Sequence, residues 1–208
     1  LAALAWQGRR AVWVGVALGL AVGTKVSALV VLPLLLLCVP AGMNWATWVP
    51  RLLGGLAVSV AALYGPFIAA GGSDGSALRI FGTQWLFNPL GYRLLDVVLP
   101  AGAVRPVAAL LVVGGLGVLV WRWQRRARAA SQLPPLSSAV AWLLFCSPVV
   151  NPWYWLWALP LAVCAGQRWV IAAAVIAMLS YLNTTVLSQA GWIAPITVAE
   201  SFRVDWPV

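Results

Sequence analysis

Long apolar runs, several of them close to the length of a membrane-spanning helix, alternate along this chain with short clusters of arginine. Full-length runs cover residues 52–70, 101–121 and 169–187. A helix that crosses the ~30 Å hydrocarbon layer needs about 20 residues. A chain inside that layer must satisfy its own backbone hydrogen bonds, because no water is available there. The runs therefore predict an all-α fold, a polytopic bundle of transmembrane helices.

Composition excludes most soluble functions. Of the 208 residues, 63% are hydrophobic and only 8% are charged, whereas soluble domains carry about 25% charged residues. The net charge of +9 comes from basic clusters between the apolar runs, as membrane topology requires, so we expect no nucleic-acid partner. The chain has no histidine, and its three cysteines lie in apolar runs without metal-ligand spacing. We expect neither a metal nor a cofactor.

The basic clusters predict the topology. If the runs alternate in direction, one face receives the arginines at 9, 10, 51 and 168 and the cluster at 122–128. An excess of arginine marks the cytoplasmic side of a membrane protein. The opposite face then receives the Thr24-Lys25 turn, a loop over 71–100 with a helix along the membrane surface, the Asn151-Pro152 break and a tail over 188–208.

The chain is thus predicted to be one transmembrane domain over 1–208 of a multi-pass protein of the bacterial inner or plasma membrane. Leu1 already lies in an apolar run, so we expect the C-terminal portion of a longer protein. Residues 40–51, which include several prolines and tryptophans, are predicted to be a loop.

Two pairs of short apolar runs are interrupted by polar residues. Residues 11–23 and 26–39 meet at Thr24-Lys25, and residues 136–150 and 153–166 meet at Asn151-Pro152. Each second run contains Leu-Pro-Leu followed by a cysteine. Such paired, proline-interrupted segments mark binding sites in membrane proteins. Shared leucine and proline content explains the likeness equally well.

Lys25, the only lysine, has two interpretations. A charge at membrane depth costs several kcal/mol unless it reaches the interface or finds a partner. Lys25 is either a lysine that extends to the outer membrane boundary or a cation that binds an anionic group such as a lipid-linked phosphate.

The segment after the second break also has two interpretations. Trp153 and Tyr154 fit either an interfacial aromatic belt or the wall of a cavity. In the second case Asn151 and Tyr154 supply hydrogen bonds. In the 71–100 loop, Arg79 and Arg93 either bind phosphate or contact solvent and lipid headgroups. Glycines at 15, 19 and 23 form a small-xxx-small pattern that predicts close helix packing.

Two segments carry a family resemblance. The stretch GLAVGTK at 19–25, followed by an apolar run with a central Leu-Pro, and the stretch SPVVNPWY at 147–154 resemble segments of the GT-C superfamily of glycosyltransferases. The nearest likeness is to the bacterial polyprenol-phosphate-sugar-dependent mannosyltransferase-like group, glycosyltransferase family 87 and relatives.

The resemblance implies a GT-C-like bundle and an inverting transfer of a hexosyl or mannosyl group. The donor would be a polyprenyl-phosphate sugar and the acceptor would lie on the non-cytoplasmic face. It implies that Lys25 faces the donor phosphate and that the segment Asn151–Tyr154 lines the donor cavity. The family's catalytic carboxylate belongs to a loop that would precede Leu1, so no catalytic residue is assigned. The rival interpretations are a transporter or lipid flippase that binds an anionic substrate and a non-catalytic membrane scaffold.

Overall fold

The fold is known from a computed structural model that describes residues 1–72, 75, 90–126 and 133–181. Every regular element in these ranges is helical, which confirms the all-α prediction for the described part of the chain. The α-helices are α1 (Ala2–Gln7), α2 (Ala11–Thr24), α3 (Leu32–Leu37), α4 (Trp45–Ala69), α5 (Leu90–Val98), α6 (Ala101–Arg126), α7 (Leu136–Cys146), α8 (Leu159–Cys164) and α9 (Arg168–Tyr181). Two 3₁₀ helices, Val26–Val31 and Pro152–Trp157, precede α3 and α8.

Two of the described helices are long and apolar enough to cross a membrane. They are Trp45–Ala69, with 25 residues, and Gly102–Arg125, with 24. Only 17% of the most apolar window of the first and 22% of that of the second are buried within the chain. Their exposed side chains include Val58, Phe67 and Leu110, so both helices present apolar surface outward.

The chain divides into two compact units. Unit 1 comprises Leu1–Asp74 and Leu116–Leu136, and unit 2 comprises Gly75–Gly115 and Ser137–Val208. Helix α6 contributes its first part to unit 2 and its last part to unit 1.

Unit 1 is built on the close packing of α2 against α4, and the glycine pattern explains it. A Cβ atom at Gly15 would overlap the carbonyl of Leu52, and one at Gly55 would overlap the carbonyl of Val12. Two side-chain hydrogen bonds also join α4 to α2. Ser59 Oγ donates to the Val16 carbonyl at 3.2 Å, and Tyr64 Oη donates to the Val22 carbonyl at 3.4 Å. The prediction that the glycines at 15, 19 and 23 serve helix packing is confirmed.

The end of α3 is capped by three side chains. The last carbonyls of a helix have no partner within it, and here indole and amide N–H groups supply one. The bonds run from Trp48 Nε1 to Leu35 O at 3.2 Å, from Trp45 Nε1 to Leu36 O at 3.0 Å and from Gln124 Nε2 to Leu37 O at 3.2 Å. They join the end of α3 to the start of α4 and the end of α6.

Unit 2 contains a small core of Tyr92, Val104 and Ala108 between α5 and α6. Helix α7 packs on the same helix through Trp142, whose Nε1 donates to the Leu111 carbonyl at 2.8 Å. The indole occupies the space that a Cβ at Gly115 would need. At the start of α7, the hydroxyls of Ser137 and Ser138 both donate to Gln167 Oε1, at 2.7 and 2.8 Å.

One sequence prediction is wrong. Residues 40–51 were expected to form a loop, yet α4 begins at Trp45. Asn44 caps it, since its Oδ1 accepts a hydrogen bond from the Ala46 amide at 2.8 Å. The amide side chain offers the bond that the first turn lacks. Of the predicted 71–100 loop, helix α5 is described, whereas the tail at 188–208 lies outside the described residues.

Candidate functional site

The first break lies in unit 1, where α2 ends. The Thr24 hydroxyl and the Lys25 amide both donate to the Ala21 carbonyl, at 2.7 and 2.9 Å. Lys25 then adopts an extended backbone with φ −159° and ψ 121°, and the chain rewinds as the 3₁₀ helix Val26–Val31. Lys25 is partly buried. The break therefore places the only lysine between two helical segments. Lys25 follows the last residue of α2, whereas Arg10 precedes its first residue.

A polar atom without a partner lies two residues after Lys25. Ser27 Oγ is buried and makes no hydrogen bond. A buried hydroxyl left without a partner costs about 1–3 kcal/mol. The segment 25–27 thus carries a cationic side chain and a buried hydroxyl, which are groups that can bind an anionic or hydroxyl-bearing ligand.

The second break lies in unit 2, where α7 ends. After Cys146 the chain turns on Ser147, whose Oγ accepts from the Val149 amide at 3.2 Å. Asn151 is extended, with φ −71° and ψ 138°, and its carbonyl accepts from the Tyr154 amide at 2.8 Å. Its side chain makes no capping bond to the 3₁₀ helix that follows.

The aromatic side chains follow the three-residue period of this 3₁₀ helix. Residues i and i+3 eclipse in such a helix, and the rings of Tyr154 and Trp157 accordingly stack with centroids 4.9 Å apart. Trp153 is half exposed and meets Tyr154 edge-on at 6.0 Å. Trp155 is buried. The predicted site residues Trp153 and Tyr154 thus belong to one aromatic cluster with Trp157.

The two breaks have the same local architecture. In each, an extended polar residue, Lys25 or Asn151, precedes a six-residue 3₁₀ helix. Each 3₁₀ helix leads into a six-residue α-helix, α3 or α8, whose first three residues are Leu-Pro-Leu. The likeness noted in the sequence therefore extends to the backbone. One copy belongs to each unit.

The remaining predicted residues are placed only in part. Arg93 lies in α5, but its side chain is outside the described residues, as is the whole of Arg79. Lys25 belongs to unit 1, whereas Asn151, Trp153 and Tyr154 belong to unit 2. No group of three or more potential metal ligands occurs among the residues that the structure describes.

Comparison with protein-family models, with curated proteins and with solved structures finds no match. The likeness of residues 19–25 and 147–154 to glycosyltransferase segments therefore stays a prediction.

Proposed function

We propose that this chain is the membrane portion of a polytopic, GT-C-like glycosyltransferase that transfers a hexosyl or mannosyl group from a polyprenyl-phosphate sugar to a non-cytoplasmic acceptor. The observation that carries the proposal is the segment from Asn151 to Trp157, in which a helix break at an asparagine whose side chain makes no capping bond leads into a stacked aromatic pair. Ligand sites are lined mainly by apolar and aromatic side chains with a few polar groups that orient the ligand.

The membrane setting has separate support. The two longest described helices are mostly unburied within the chain, whereas the core helix of a soluble protein of this length is mostly buried. Irregular backbone at membrane depth is tolerated where protein or a water-filled cavity covers it. Two breaks with polar residues at their centres are therefore places at which a lipid-linked substrate can bind.

Lys25 has the role of phosphate ligand in this proposal. An ammonium group binds phosphate as a point charge, and Ser27, two residues further along the chain, has a buried hydroxyl without a hydrogen-bond partner. In unit 2, Asn151 and Tyr154 offer hydrogen bonds to a ligand, and Trp153 and Trp157 offer aromatic faces on which a sugar or a prenyl chain can pack. Arg79 and Arg93 stay additional candidates for the donor phosphate.

The test uses the protein expressed from its natural reading frame in cell membranes and a panel of radiolabelled polyprenyl-phosphate sugars. Lys25→Ala is expected to lower transfer about tenfold or more, because a hydrogen bond to a charged group contributes about 1.5–3 kcal/mol. Lys25→Arg keeps the charge and is expected to retain most of the activity. Arg105→Ala, which removes a partly buried cation of unit 2, is the matched control. Wild-type transfer by well-expressed Lys25→Ala would remove the phosphate role.

The repeated break favours a second candidate function. Transporters commonly contain structural repeats whose interrupted helices hold the substrate, and the two breaks have matching architecture. In that case the protein moves an anionic lipid or solute and leaves it chemically unchanged. Proteoliposomes with a fluorescent polyprenyl phosphate and no acceptor decide between the two. Passage of the intact lipid across the bilayer supports the transporter, and its absence together with sugar transfer supports the enzyme.

A further inference from the structure

We infer that one end of unit 1 is a binding surface for the headgroups of anionic phospholipids. The surface, called here the arginine end, carries the side chains of Arg9, Arg10, Arg51, Arg122 and Arg125, all of which are exposed. The inference uses the membrane setting of the proposed function but none of its sugar chemistry.

A chain of contacts brings the elements of the arginine end together. The ring of Trp6, three residues before Arg9, packs edge-on against Trp48 at 5.0 Å between centroids. Trp48, three residues before Arg51, binds the end of α3 through the Leu35 carbonyl. Gln124 of α6 binds the Leu37 carbonyl two residues further along. The end of α1, the start of α2 and α4 and the end of α6 therefore lie at the same end of unit 1.

The positive charges of this surface are not balanced within the described part of unit 1. No carboxylate occurs among the described residues of unit 1, and the one described acidic residue, Asp96, belongs to unit 2. Arg125 lies over the Trp121 ring at 4.2 Å from its centroid, which holds the guanidinium by a cation–π contact. The other four guanidinium groups are exposed and meet no carboxylate among the described residues of unit 1.

The position of the surface specifies the occupant. Helix α4 begins at this end and α6 ends there, and these are the two described helices with the length and composition to cross a membrane. The side chains of Trp45, in the first turn of α4, and of Trp121, near the end of α6, are 56% and 51% exposed. Tryptophan concentrates at the headgroup level of a bilayer, and clustered arginines there attract anionic lipids. A phosphodiester that is attached to acyl chains satisfies both features, whereas a soluble anion satisfies only the charge.

The backbone at Arg9 supports a role for its side chain. Arg9 has φ 54° and is the only described residue other than glycine with a positive φ. Glycine adopts this conformation without strain, so the turn by itself favours glycine. An arginine here is consistent with a side chain that acts beyond the turn.

The experiment measures the thermal unfolding midpoint of the purified protein in a neutral detergent with added phosphatidylglycerol. The midpoint is expected to rise with phosphatidylglycerol but not with phosphatidylcholine or soluble glycerol phosphate. The double variant Arg122→Gln/Arg125→Gln is expected to lose at least half of that rise. Arg105→Gln, which makes the same change near the opposite end of α6, is expected to keep all of it.

The result has a further check and clear contrary outcomes. In about 1 M NaCl, where the Debye length is ~3 Å, the rise is expected to shrink. An equal rise with phosphatidylcholine, or an equal loss in Arg105→Gln, would overturn the inference. A response to glycerol phosphate would replace the lipid with a soluble anion. If the double variant does not fold, the single variant Arg51→Gln gives the same comparison. Recovery of the protein in neutral vesicles tests the membrane setting separately.

Discussion

The ring of Tyr154 stacks on that of Trp157, with 4.9 Å between centroids and 14° between planes. The stack exists because this segment winds as a 3₁₀ helix, in which residues three apart eclipse. In an α-helix, which has 3.6 residues per turn, side chains three apart are offset by about 60° around the axis. The extended Asn151 and the proline after it therefore determine the geometry of the aromatic cluster as well as the position of the break.

The first prediction concerns this stack. Trp157→Leu keeps an apolar side chain but removes the ring, and an aromatic pair contributes about 0.5–1.5 kcal/mol beyond its burial. We expect sugar transfer to fall about 2- to 10-fold, mainly through a higher KM for the lipid-linked donor. Trp169→Leu, at an exposed indole of α9, is the control. Equal losses in both variants would show that Trp157 has no special part in donor binding.

The second prediction concerns the contact between α2 and α4. Gly15→Ala introduces a methyl group against the Leu52 backbone, and overpacking of this kind costs about 1–3 kcal/mol. Gly54→Ala is the control, because a Cβ at Gly54 meets nothing within 4 Å and alanine favours the helix by up to about 1 kcal/mol. Thermal unfolding in detergent is expected to show a lower midpoint for Gly15→Ala and an unchanged or higher one for Gly54→Ala. A neutral Gly15→Ala would contradict the close approach of the two helices.

Several elements of this fold can be predicted from the sequence, and the reasons for the exceptions are physical. The lengths of the apolar runs predict α4 and α6, and the glycine spacing predicts that α2 packs closely on another helix but does not identify α4 as its partner. The winding of the breaks cannot be predicted in this way, because six-residue apolar segments are too short to separate a period of 3.0 from one of 3.6. The start of α4 was missed, although Asn44 carries a readable capping signal. No local sequence pattern indicates that the side chains of Trp45 and Gln124 donate hydrogen bonds to carbonyls at the end of α3.

The third prediction concerns the buried polar contact at the start of α7. Gln167 Oε1 accepts from the hydroxyls of Ser137 and Ser138, which are 2% and 7% exposed. Gln167→Leu leaves both hydroxyls without this acceptor, at a cost of about 1–3 kcal/mol each. Replacing both serines by alanine in the same chain removes the unsatisfied groups and is expected to restore most of the stability. Gln7→Leu, at an exposed glutamine, is the control for the loss of an amide.

The cost and its recovery are measured by the thermal unfolding midpoints of the three variants and the wild type. A Gln167→Leu variant that is no less stable than Gln7→Leu would show that the serine hydroxyls find other acceptors. A triple variant as unstable as Gln167→Leu would assign the cost to lost packing.

The last prediction separates backbone strain from charge at the arginine end. Arg9 has φ 54°, and a left-handed conformation costs a residue with a side chain about 1–2 kcal/mol. Arg10, the next residue, has φ −102° and carries no such strain. Arg9→Gly and Arg10→Gly remove the same charge, but only the first relieves the backbone.

In neutral detergent, Arg9→Gly is expected to unfold at a higher temperature than the wild type, and Arg10→Gly at the same or a lower temperature. Both are expected to show a smaller rise with phosphatidylglycerol, because exposed arginines near a membrane contribute about 1 kcal/mol each to attraction by anionic lipid. A smaller rise in Arg9→Gly together with greater intrinsic stability cannot come from a damaged fold. If Arg9→Gly is more stable and keeps the full response to lipid, Arg9 does not belong to the binding surface.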